Sequence, residues 1–190
     1  QMAVAVAQPG EAVFLDTASL DFERILLPES HRFVVLHSGI RRELADGRYA
    51  ARAQECYFAK RFFGTEDLCY LTLDDVMSAR GLEEPIRRRV WHCITEHART
   101  IAAAQALKAG DLDALGVLMD ESHLSMRDDF EITVPGIDDL VETCKKKGAI
   151  GARLTGGGFG GCVVACVEQD AADRWTTEVL ADAPRAYTVA

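Results

Sequence analysis

Residues 155–161 read Thr155-Gly156-Gly157-Gly158-Phe159-Gly160-Gly161. Five glycines in seven positions lose much backbone entropy on folding, more than a strand turn requires. The run lies between Ala149–Leu154 and Cys162–Val167, which both read as strands. The second is apolar throughout, as a central strand of a sheet would be. Two readings of the run stand. Glycines let backbone N–H groups approach a ligand, commonly an anion, or they only permit a tight hairpin or bulge. No Gly-Lys-Ser/Thr follows, so this is no Walker loop. A strand and not a helix comes next, which excludes a dinucleotide-binding turn.

Upstream, the pattern is helical. Ile137, Leu140, Val141 and Cys144 form a stripe after Pro135, with Lys145-Lys146-Lys147 in the last turn and Gly148 as the stop. Leu112, Leu115, Leu118 and Met119 face inward on a helix that Asp111 caps. Ile86, Val90, Ile94, Ala98, Ile101 and Gln105 trace a long helix from Pro85. Asp67–Gly81 predicts a loop and then a short helix. Tyr49, Ala53, Cys56, Lys60 and Phe63 give another helix, which Gly64 ends. Phe33–His37 is an apolar strand after a break at Pro28-Glu29-Ser30-His31-Arg32. Val13–Asp16 and Phe22–Leu27 predict a hairpin across Thr17-Ala18-Ser19. Downstream, Asp170 is expected to cap a helix through Ala181, and Tyr187-Thr188-Val189 to add a last strand. This order predicts an α+β fold, with helices packed on one side of an antiparallel sheet.

The chain has 190 residues, 48% hydrophobic and 27% charged, an ordinary globular composition. Its net charge of −9 argues against nucleic-acid binding, and Arg87-Arg88-Arg89 and Lys145-Lys146-Lys147 are isolated basic triplets, not a basic face. Leu154–Val167, its longest uncharged run, is glycine-rich and too short to span a membrane. No basic n-region followed by an apolar h-region is visible in the given sequence, so no signal peptide is expected from it. Gln1 is not Met, so the chain is expected to be processed or a piece of a longer one. Six cysteines, at 56, 69, 93, 144, 162 and 166, form no C-x-x-C pair. They read as free thiols of a cytoplasmic protein, with no metal site. Cys162 and Cys166 share a strand face too far apart to bridge easily.

Two further segments carry chemistry. His37-Ser38-Gly39-Ile40-Arg41-Arg42-Glu43-Leu44, with Tyr49 and Arg52, puts arginines and a tyrosine at the end of a buried strand. Arg suits phosphate and Tyr suits a sugar, although a solvated loop would read the same way. Glu121-Ser122-His123-Leu124-Ser125-Met126-Arg127-Asp128 contains hydrolase-like parts, yet adjacent Ser122 and His123 cannot face each other on a helix, and no nucleophile elbow is present. His92 and His97 fall on different helix faces and read as surface or core residues.

Taken together, Arg153–Cys162 resembles the third motif of the GHMP sugar kinases in its galactokinase version. Ser38–Leu44, with Tyr49 and Arg52-Ala53-Gln54-Glu55-Cys56, resembles that family's sugar-site segment. Glu121–Phe130 resembles its helical segment, and Gln1-Met2-Ala3 with Leu15-Asp16-Thr17 and Leu20 the stretch after its catalytic aspartate. The resemblance runs over essentially the whole chain.

It implies a ferredoxin-like α+β sandwich, the family's C-terminal lobe, over residues 31–190, and a hairpin from the N-terminal lobe over 1–30. It implies transfer of the ATP γ-phosphoryl to the C1 hydroxyl of galactose or a related sugar, with Mg²⁺. ATP and Mg²⁺ would be held mainly by the N-terminal lobe, the chain's expected partner. The resemblance places Arg41 near the transferring phosphoryl group, Tyr49 on the sugar, and the Gly157 and Gly158 N–H groups in the cleft. The family's phosphate loop and catalytic Asp lie outside this chain, which alone is expected to be inactive. The family has His where Arg42 stands, so related sugars remain open. A catalytically dead sugar sensor and a free-standing binding module are the alternatives.

Overall fold

The computed structural model describes residues 5–41 and 47–189. Near its start, strands β1 (Glu11–Leu15) and β2 (Phe22–Leu26) pair antiparallel, Glu11 opposite Leu26 and Leu15 opposite Phe22. The Asp16 carboxylate closes their turn by accepting the Ala18 and Ser19 N–H groups at 2.8 and 3.1 Å.

The main sheet has the order β4 (Gly151–Thr155), β5 (Cys162–Glu168), β3 (His31–His37), β6 (Tyr187–Thr188), and every pair is antiparallel. The apolar Cys162–Val167 run is central, as its lack of polar alternation predicts. Strand β3 begins at His31, earlier than the polar break suggests, because Arg32 pairs across the ladder with Val167 and its guanidinium meets Asp173 at 2.7 Å.

Among the described residues after β3, the helices are α1 (Arg48–Phe63), α2 (Leu73–Ser78), α3 (Ile86–Ala109), α4 (Leu112–Asp128), α5 (Pro135–Lys146) and α6 (Ala172–Asp182). Gly64 and Gly110 take the left-handed conformation that ends α1 and α3. The segment Asp67–Gly81 holds a 3₁₀ turn, Leu68–Tyr70, and then the expected short helix, α2. Two caps divide it: Asp67 accepts the Cys69 N–H, and Thr72 forms a capping box with Asp75. Asp170 does not cap α6. It lies in a 3₁₀ turn, Gln169–Ala171, that the Gln169 N–H anchors to the Ser30 carbonyl at 2.8 Å.

Helices α5 and α6 cover one sheet face. Ile137, Leu140, Val141, Trp175 and Val179 pack there against Leu36, Leu154, Val163, Ala165 and Val167. The opposite face is covered too: Phe33, Val164 and Cys166 pack against Ala106 of α3 and Leu115 and Met119 of α4. Helix α4 reaches that position by lying along the free edge of β4. The outward N–H groups of Ala152 and Leu154 donate to Asp120 Oδ1 at 3.2 Å and His123 Nδ1 at 3.3 Å. A helix thus satisfies an edge that would otherwise need another strand. Gly116 and Gly151 allow this approach, since a Cβ on Gly116 would stand 2.2 Å from the Ile150 carbonyl oxygen.

Gly116→Ala is therefore expected to lower stability by about 2 kcal/mol or more, read as a lower urea midpoint at unchanged slope. An unchanged midpoint would contradict the seating of α4 on β4.

Candidate functional site

A cleft of about 230 Å³ opens where α1, the segment after α4 and the glycine loop meet. Tyr49, Arg52, Ala53 and Cys56 of α1 form one wall, and Phe130, Ile132, Gly156 and Gly157 the other. Tyr49, 70% exposed, stands at the start of α1. A larger cleft of about 470 Å³ lies between the β1–β2 hairpin and α3, and the glycine loop takes no part in it.

The glycines of the loop do different work. Gly158 has φ +80° and is buried; a Cβ there would come within 2.5 Å of the Ile132 carbonyl oxygen. Gly160 has φ +124° and lies against Ile40, whose carbonyl oxygen would be 2.8 Å from a Cβ. These two permit close backbone approach, while Gly156 and Gly157 are exposed and line the cleft. Between them Phe159, with φ +59°, turns its ring into the core. Its N–H donates to the Ile132 carbonyl at 2.7 Å, and the Arg48 guanidinium lies 4.7 Å from its ring centroid. The loop is also tied to the end of β3. The Ser38 N–H and hydroxyl both donate to the Gly161 carbonyl at 2.9 Å, and the Gly161 N–H donates to the Ile40 carbonyl at 3.1 Å.

A buried arginine ties the two walls together. Arg89, on α3, is 1% exposed. Its guanidinium donates to Glu55 of α1 at 2.7 Å, to Glu131, and to the Asp129 carbonyl. Arg88 adds a second hold on Glu131 at 2.9 Å, and Arg52 pairs with Glu55. Hydrogen bonds from Arg89 and Arg88 keep the Glu131 carboxyl below the usual carboxylate range. Arg87 takes no part in this network and donates to the carbonyls of Val76, Ala79 and Leu82 around the end of α2.

The hydrolase-like residues have separate structural partners. Ser122 donates to Glu96. His123 accepts the Leu154 N–H at Nδ1, which places its proton on Nε2, 3.3 Å from Asp138. Asp128 pairs with Arg127 at 2.8 Å. Buried His92 stacks on Phe130 with centroids 4.4 Å apart and meets Ser125, which in turn donates to Asp129. His97 packs edge-on against Tyr70.

Of the residues singled out in the sequence, Tyr49 and Gly157 line the cleft together. Gly158 packs behind the loop against Ile132. Arg41 is exposed just beyond β3. Arg42, Glu43 and Leu44, with Gln1-Met2-Ala3, lie outside the described residues. Sequence reasoning missed Arg89, Glu131 and Ile132. A signal for Arg89 exists: it falls three residues after Ile86 and one before Val90, on the inward stripe of α3, where a charge needs a partner. Among the described residues no three His, Cys, Asp or Glu converge to hold a metal ion, and no helix is long and apolar enough to cross a membrane.

Residues 103–182, which include the glycine loop, match the family described as GHMP kinases C terminal. The chain is similar to Lactococcus lactis galactokinase, solved with galactose: the TM-score is 0.86 at 28% identity, over 94% of this chain and 50% of that one. Mevalonate kinase from L. major, solved with R-mevalonate, matches at TM-score 0.60 and 20% identity over 94% of this chain and 47% of its own. Mevalonate kinase from a methicillin-resistant Staphylococcus aureus matches at 0.54 and 17%, over 89% and 44%. These two likenesses concern the fold alone. The chain spans about half the length of the galactokinase it matches.

His92 makes the cleft wall pH-sensitive. Burial pushes its imidazole down from the usual 6.5 to about 4. The unfolded chain then binds the proton more readily, so stability falls as pH drops from 6.5 toward 4. Going from about pH 7 to about pH 4.5 should remove roughly 2 kcal/mol through this group. His92→Gln should flatten that part of the urea-denaturation pH profile; an equal slope in the variant would contradict it.

Proposed function

We propose that the chain is the C-terminal half of a galactokinase-type sugar kinase, residues 31–190 being its C-terminal lobe, a reading supported by the match of residues 103–182 to the family described as GHMP kinases C terminal. The reaction is transfer of the ATP γ-phosphoryl to the anomeric hydroxyl of galactose or a closely related sugar. The C1 oxygen gives up its proton to the catalytic Asp expected outside this chain and bonds to the γ-phosphorus as the bond to the β-bridging oxygen breaks, and ADP leaves. The observation that carries this reading is the likeness to a galactose-bound galactokinase over 94% of the chain, together with the cleft that joins Tyr49 to the exposed glycines.

In this reading Tyr49 presents its ring and hydroxyl to the sugar. Gly156 and Gly157 keep the opposite wall free of side chains, so backbone can approach the substrates. Arg41, at the exposed end of β3, stabilises charge on the transferring phosphoryl group. Gly158, though buried, sets the loop's path by packing on Ile132. ATP and Mg²⁺ are held mainly by the other lobe, so the 190-residue chain alone has no turnover, and the intact enzyme works in the cytoplasm.

Coupled ADP-release assays test this on the full-length protein, with galactose, N-acetylgalactosamine, arabinose and mevalonate as acceptors. A sugar-dependent rate is expected, and none with mevalonate. Tyr49→Ala should raise KM for the sugar about tenfold and leave KM for ATP nearly unchanged, as loss of one ground-state contact would. Phosphorylation of mevalonate but no sugar would overturn the reading, and an unchanged sugar KM would remove Tyr49 from the site.

A further inference from the structure

Three cysteines from three elements gather around one small apolar cluster: Cys56 on α1, Cys69 in the Leu68–Tyr70 turn and Cys93 on α3. Cys56 and Cys93 pack on the same small apolar cluster, around Ala59, Leu68 and Val90. The 2.7 Å bond from Arg89 of α3 to Glu55 of α1 holds the two helices together beside Cys56, and the two thiols influence each other's ionisation. Cys69 turns instead to the Cys93 backbone, its Sγ donating to that carbonyl at 3.8 Å. All three are free thiols. Cys56 also lines the cleft beside Tyr49 and Arg52, so a small solute can reach it.

We propose that Cys56 is an oxidation site and that Cys93 resolves it into an intramolecular disulfide tying α1 to α3. The oxidant is a peroxide. The Cys56 thiolate attacks one peroxide oxygen, the O–O bond breaks, and the departing hydroxide takes up the thiol's proton as water, leaving a sulfenic acid. The Cys93 sulfur then attacks the Cys56 sulfur. The S–S bond forms as the S–O bond breaks, and the hydroxyl leaves with the Cys93 proton as a second water. Two electrons pass from the thiol pair to the peroxide, and an external dithiol returns them.

The surroundings divide the roles. The Cys93 thiol, with the charges of Lys60 and Arg89, lowers the Cys56 thiol against the opposing effects of burial and Glu55. The same interaction, with burial, raises Cys93. Attacker and resolver are thereby distinguished. Burial takes Cys69 and Cys166 up to about 11 and Cys144 to about 12, where they stay inert. The disulfide would draw Cys56 toward α3 and fix the helix that carries Tyr49 and Arg52. The inference does not depend on which substrate the cleft takes.

The test uses the reduced chain, treated with hydrogen peroxide, alkylated in denaturant, digested and analysed by mass spectrometry. A linked Cys56–Cys93 peptide pair, lost on treatment with dithiothreitol, is expected. Cys93→Ser should leave Cys56 as a sulfenic acid that dimedone traps, and Cys56→Ser should leave Cys93 free to be alkylated. Circular dichroism checks that each variant folds, and Cys56→Ala replaces Cys56→Ser if that variant does not. Linkage of Cys69 to Cys93 in preference, or a Cys56 still free at peroxide doses that oxidise Cys162, would overturn the proposal.

Discussion

The guanidinium of Arg89 sits almost wholly out of water and is shared among Glu55, Glu131 and the Asp129 carbonyl. A charge in that position is tolerable only with its partners present, and removing one of them from a buried pair costs about 3–5 kcal/mol. The consequence is geometric. Glu55 belongs to the helix that carries Tyr49, and Glu131 is one residue from Ile132, on which the glycine loop rests. One buried cation therefore bridges the two walls of the cleft, beside the apolar cluster that packs α1 on α3 and the stacking of Phe130 on His92.

The glycine loop depends on that arrangement in turn. Phe159 holds a backbone conformation that bulky residues rarely adopt, and its hydrogen bond to Ile132 helps keep it there. Strain of this kind persists where the surroundings over-determine it. Here they do so from three sides: Ile132, the end of β3 and the Arg48 guanidinium. What remains exposed is a short glycine stretch facing Tyr49, a surface on which backbone alone can meet a ligand.

Much of this was legible in the sequence. The hairpin, the central Cys162–Val167 strand and the helices that begin at Pro85 and Asp111 follow from periodicity and caps, because those signals are local. The glycine run and Tyr49 pointed to the cleft for the same reason. The start of β3 was hidden because Arg32 finds its partners, Gln169 and Asp173, far away in sequence. The covering of both sheet faces was hidden because it depends on α4 replacing a strand at the β4 edge. Arg89 was read with its neighbours as a basic triplet, although its three arginines have three different fates: one around the end of α2, one toward the surface and one buried. The division of labour among the glycines could not be read either, since only the fold brings Ile132 and Ile40 against Gly158 and Gly160.

The claim that Arg89 bridges the cleft walls can be measured through the Phe159 amide, which is bonded to Ile132. Glu131→Gln keeps the side chain's shape and removes the charge that Arg89 holds. Amide hydrogen exchange in the folded variant should then be roughly tenfold faster at Phe159, while amides of the core strand Cys162–Glu168 keep their protection. Phe159 exchange equal to that of the unaltered protein, with the variant's Arg89 network broken, would contradict the account.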